Sequence, residues 1–81
     1  MASRKAIEAG RQRRRAILLD LQTVILREGY APTYRELAEA QGLSVNGVRE
    51  HLKRLAEEGY VDIVPGIARG ITLTPKGRRV T

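Results

Sequence analysis

Eighty-one residues give room for one small domain, near the lower limit of what an unaided apolar core can hold. Cysteine is absent and His51 is the only histidine, so neither a disulfide framework nor a metal site can be drawn from the sequence, and no cofactor is expected. Fifteen Lys and Arg against nine Asp and Glu leave a formal charge of +6, which favours a polyanionic partner without choosing among DNA, RNA and an anionic surface. No run approaches the roughly eighteen apolar residues that span a bilayer, so a cytoplasmic location without a membrane partner is expected.

The first ten residues, "MASRKAIEAG", contain good helix formers but little apolar face, and residues 1–12 read as a basic arm or a frayed helical extension. Arg4, Lys5 and Arg11, with Arg13, Arg14 and Arg15 just beyond them, concentrate positive charge at this end of the chain. Ile17, Leu18, Leu21, Val24 and Ile25 then recur at three- and four-residue steps, which predicts a first helix starting near residues 10–14 and ending at Glu28-Gly29. Pro32 keeps the next connection extended. Thr33 followed by Glu36 predicts a capping box, opening a short second helix with Leu37, Ala38 and Ala40 inward and Gly42 at its end. Ser44 caps a third helix whose inner stripe is Val45, Val48, Leu52, Leu55 and Ala56.

Beyond Gly59 the period changes to alternation. Val61 and Ile63, then Ile71 and Leu73, predict two strands joined by "VPGIARG" into a hairpin. After Pro75 the basic tail, residues 75–81, is expected to be weakly ordered. The whole reads as mainly α with a small β element: three helices followed by a two-stranded hairpin, a winged helix-turn-helix over residues 13–74. Ala38, Gly42, Leu43 and Val48 carry the specificity of that reading. They allow close helix approach, a sharp reversal, a plugged corner and packing of the third helix onto the second.

With Val48, Leu52 and Leu55 inward, the third helix presents Asn46, Arg49, Glu50 and Lys53 outward. Asn pairs with adenine, Arg with guanine and Glu with the cytosine amino group, and Gly47 lets the backbone approach a groove floor. Taken alone, such a face could equally be solvated surface. Tyr34 and Arg35 open a helix N-terminus suited to phosphate, and Thr33 is engaged in capping. Arg54 and, at the hairpin tip, Arg69 are candidates for backbone or minor-groove contact. His51 has no accompanying ligand or nucleophile, so catalysis is not expected.

The stretch from about Arg13 to Leu73 resembles the DNA-binding domain of LexA-type repressors. "APTYRELAEAQGLS", "NGVREHLKRLAEEG" and "VDIVPGIARGITL" are similar to that family's second helix, recognition helix and wing. The resemblance implies operator recognition in the major groove of double-stranded DNA, with Ser44, Asn46, Gly47, Arg49 and Glu50 as base-reading residues and Arg69 as a wing contact. It also implies transcriptional repression. One residue fewer before Asn46, Val45 in place of a small polar residue or proline, and Arg49 in place of an acid depart from the family pattern, so no operator sequence carries over. Nor does the family's self-cleavage: Ser3 and Ser44 lie in the wrong segment and Ala9-Gly10 lies upstream of the domain.

The chain is thus expected to act as a free-standing regulator or as the DNA-binding piece of a larger repressor, on the nucleoid and on a palindromic operator, with pairing into a homodimer or larger assembly. No small-molecule ligand is implied. The alternatives are a winged-helix interaction module in replication, transcription or plasmid maintenance, and structured RNA binding. Without Phe or Trp, a stacking platform for single strands is disfavoured.

Overall fold

The computed structural model describes residues 4–80. In chain order the elements are α1 (Arg4–Glu28), α2 (Tyr34–Gln41), α3 (Val45–Glu57), β1 (Val61–Ile63), β2 (Ile71–Leu73) and α4 (Pro75–Arg78). This is a winged helix-turn-helix, mainly α, with one short terminal turn added.

Helix α1 begins at Arg4, ahead of the start expected near residues 10–14, so residues 4–12 follow the helical-extension reading and not the arm. Ala, Glu, Arg and Lys propagate a helix already nucleated downstream, and a single glycine at position 10 does not stop it. Residues 1–3 of the expected arm lie outside the described residues. At about 1.5 Å per residue, the 25 residues of α1 match the 38 Å longest dimension of the molecule. The other elements pack along this spine.

The core joins Ile17, Leu18 and Leu21 of α1 to Leu37 and Ala38 of α2, Val48, Leu52 and Leu55 of α3, and Val61, Ile71 and Leu73 of the hairpin. Ala40, expected inward, is exposed. Leu37 and Ala38 already set the inward direction of this short helix, which turns Ala40 sideways, beside Asp20 and Val24 of α1. In the antiparallel hairpin Val61 pairs with Leu73, Asp62 with Thr72 and Ile63 with Ile71. Alternation holds: Val61, Ile71 and Leu73 are buried, while Asp62 and Thr72 face water.

The tail also departs from expectation, because residues 75–78 form a helical turn locked to the hairpin base. Thr74 caps it by accepting from the Gly77 amide at 3.1 Å, and Pro75 stands in the first turn, where its missing N–H costs nothing. The Thr74 hydroxyl donates to the Gly59 carbonyl at 2.6 Å, and Lys76 Nζ donates to the Glu58 carbonyl at 2.7 Å. From α1, Gln22 Nε2 donates to the carbonyls of Gly77 and Val80 at 2.7 and 2.6 Å. These long-range bonds order a segment whose own sequence is too polar to bury itself.

Candidate nucleic-acid interface

The corner between α2 and α3 is built from backbone bonds and one left-handed residue. Gly42 takes φ 65° and its amide reaches the carbonyls of Ala38 and Glu39, while the Leu43 amide donates to Ala38 at 2.9 Å. Two carbonyls at the end of α2 are thereby satisfied while the chain reverses. Ser44 accepts from the Gly47 amide at 3.0 Å, opening α3 one residue later. Arg13 of α1 fixes the same corner from outside by donating to the Gln41 carbonyl at 2.8 Å.

Val48 and Leu52 are fully buried and Leu55 is 2 % exposed, so α3 is held by its apolar stripe with the opposite side in water. Asn46, Arg49, Glu50, Lys53 and Arg54 are all exposed on that side. They do not form one uniform row. Arg49 and Lys53 line a cleft of about 770 Å³ between α3, the first turn of α2 and the wing, together with Thr33, Tyr34 and Arg35. Glu50 and Arg54 instead line a smaller hollow against α1, with His51, Ile7, Gly10 and Arg14. Asn46 lines neither and stands on the ridge between them.

Several expected site residues have structural duties as well. The Ser44 hydroxyl is occupied as a cap, and a Cβ on Gly47 would come within 3.2 Å of it, so this glycine protects the cap whatever else approaches. Thr33 and Glu36 form the expected capping box: the Glu36 amide donates to Thr33 Oγ1 at 3.1 Å and the Thr33 amide donates to Glu36 Oε1 at 2.8 Å. The Arg49 guanidinium lies 5.8 Å from the Tyr34 ring centroid, which orients it along the cleft wall. Arg54 sits 3.9 Å from Glu58, an exposed pair that restrains its side chain weakly. His51 is held below its ordinary pKa, first by burial and then by the positive charges of Arg14 and Arg13. It therefore stays neutral near pH 7.

Arg69 is folded back along the surface toward α2 rather than extended from the wing tip. Its Nη1 donates to Glu36 Oε1 at 2.7 Å and to the Ala31 carbonyl at 3.1 Å, and its Nη2 reaches Glu36 Oε2 at 3.4 Å. The guanidinium also covers the Tyr30 ring at 4.6 Å. Its backbone takes φ 61°, the one left-handed non-glycine residue among those described, a conformation costing about 1–2 kcal/mol. The Thr33 amide, then Arg69, lower the Glu36 carboxyl below its usual range. Sequence reading missed this arrangement, because the partners are 33 residues apart and no local pattern links them.

The family model described as LexA DNA binding domain matches residues 9–70. A LexA repressor 2 of Geobacter sulfurreducens is 45 % identical over 69 residues, covering 82 % of this chain and 33 % of that protein. The LexA repressor of Pseudoalteromonas atlantica is 43 % identical over 63 residues, 76 % of this chain and 30 % of its own length. That of Cellvibrio japonicus is 49 % identical over 47 residues, covering 57 % and 24 %. This chain thus spans about a third of the length of the first two relatives. The matched segment takes in α2, α3, β1 and the wing loop as far as Gly70, and stops just before β2. The chain belongs to the LexA DNA-binding domain family.

Proposed function

We propose that this chain represses transcription by sequence-specific binding of double-stranded DNA, with α3 in the major groove. The reading rests on one observation above others: the burial of Val48, Leu52 and Leu55 turns Asn46, Arg49, Glu50 and Lys53 outward on the exposed side of α3, with Arg49 and Lys53 toward the cleft and Glu50 toward α1. Asn46 on the crest is the first candidate for a bidentate adenine contact, and Arg49 for guanine. Glu50 and Lys53 flank them, and the capped backbone at Ser44 and Gly47 approaches the groove floor. Tyr34, Arg35 and the remaining amides of the α2 N-terminus, capped by Thr33, take phosphate on the wing side, and Arg54 takes it on the α1 side. Among the described residues no helix is long and apolar enough to cross a membrane.

One module covers one half-site, so useful affinity calls for two copies on a palindromic operator, and the site of action is the nucleoid in the cytoplasm. The direct test is selection of duplexes from random DNA, followed by titration of the Asn46→Ala, Arg49→Ala double variant. It should lose preference for the selected sequence while keeping non-specific binding. Four to six phosphate contacts give a log–log salt slope of about −4 to −5. Binding indifferent to salt, or a preference that survives both substitutions, would reject the reading.

A further inference from the structure

The wing contains a single charge between Ile63 and Ile71, and that charge is bound back onto the α1–α2 connection and the first turn of α2. Resting on the DNA-binding reading above, we propose that Arg69 is a positioning residue: its clamp on Glu36, Ala31 and Tyr30 fixes the width of the cleft in which a DNA backbone strand lies, and its guanidinium does not touch the duplex.

Three observations support this. First, the guanidinium is committed on two sides: its edge is bound to a carboxylate and a carbonyl, and its face rests on an aromatic ring. A phosphate contact would require all three to be given up together. Second, the left-handed backbone at Arg69 is unfavourable for arginine and directs the side chain back toward the body, so the strained conformation and the clamp come as one feature. Third, the anchors lie on the α1–α2 connection and the first turn of α2, adjoining Thr33, Tyr34 and Arg35 of the opposite cleft wall. The clamp therefore ties one wall of the cleft to the other. Arg35, Arg49 and Lys53 supply cations to the strand beside the clamped Arg69, which also lines the cleft, and the neutral tip Pro65 to Ala68 meets the strand through main chain and apolar contact.

Two variants separate positioning from contact. Glu36→Gln discharges the clamp yet keeps an acceptor for the Thr33 amide, since glutamine serves a capping box as glutamate does. Arg69→Asn removes the guanidinium with a residue that tolerates positive φ. The readouts are affinity and salt slope on a duplex recovered by selection and on a mixed-sequence duplex, and NMR order parameters of the Gly66, Ile67 and Ala68 amides in the free protein.

Each single variant should bind the selected duplex about tenfold more weakly, with the double variant no worse than either. The salt slope should match wild type, and all three variants should show looser wing amides. The proposal is overturned if Glu36→Gln binds like wild type while Arg69→Asn weakens binding and makes the slope shallower by about one, the signature of a lost phosphate contact. Unchanged amide order in Glu36→Gln overturns it as well. If the wild type binds neither duplex, the DNA-binding reading fails on its own, and the clamp is then decided by the wing amides: loosening in Glu36→Gln upholds it and rigidity ends it.

Discussion

The α2–α3 corner and the wing lie on either side of α3's exposed face but are held by opposite kinds of force. At the corner Leu37, Ala38, Val48, Leu52 and Leu55 are withdrawn from water and the turn is closed by backbone bonds. The wing has strands of three residues each, and its tip is tied down by an ion pair whose side chains remain 38 % and 51 % accessible. Apolar burial is insensitive to acid and to moderate salt, whereas an exposed pair is screened by one and titrated by the other. The difference teaches that α3 is held by burial while the element beside it is held by a pair that acid and salt can weaken.

The comparison breaks first if the corner is not held by its core. Leu52→Ala should lower unfolding free energy by about 2–5 kcal/mol in a urea titration, a large fraction of the stability of so small a domain. A loss below about 1 kcal/mol would mean that α3 is fixed by something else. A smaller effect tests the corner's polar half: Ser44→Ala leaves the Gly47 amide without its partner and should cost about 1 kcal/mol. Hydrogen exchange should quicken at the first turn of α3 and nowhere in the wing.

Acid should act in the reverse pattern. The unfolded Glu36 carboxyl titrates near 4.5 and the folded one lower, so the clamp's contribution is complete above about 4.5 and disappears as pH falls through the lower, folded value. NMR spectra recorded down that range should show the wing amides loosening before those of α3, and simultaneous loss would erase the distinction. The mildest effect belongs to His51, whose folded pKa lies below 6.5. Here the unfolded chain takes up the proton first, so stability declines as pH drops from 6.5 toward the folded value. Denaturant midpoints of His51→Gln should be flatter than wild type between pH 7 and 5.5.

Much of this architecture is legible in the sequence because it is local. Thr33 to Glu36, Gly42 and Ser44 announce helix ends within a few residues, and the change of period after Gly59 announces the hairpin. Legibility ends where order comes from distant partners. Gln22, more than fifty residues away, binds the last turn, and a polar tail gives no sign of it, although Thr74-Pro75 is itself a helix-start signal. The extension of α1 to Arg4 shows the same limit from the other side, since a helix continues by propagation where its apolar stripe has thinned. At the candidate site the outward face of α3 follows from periodicity. Its division between two hollows depends on where the wing and α1 pass, and the folding back of Arg69 depends on a tertiary pair.

At Gly77 a Cβ would overlap the carbonyl of Tyr60. A lone methyl group there acts as a crowbar, prising the terminal turn from the foot of the hairpin and stripping Gln22 of both its acceptors. In a library of random substitutions, position 77 should therefore return glycine and nothing else among the folded survivors, even though it does not line the cleft beside α3.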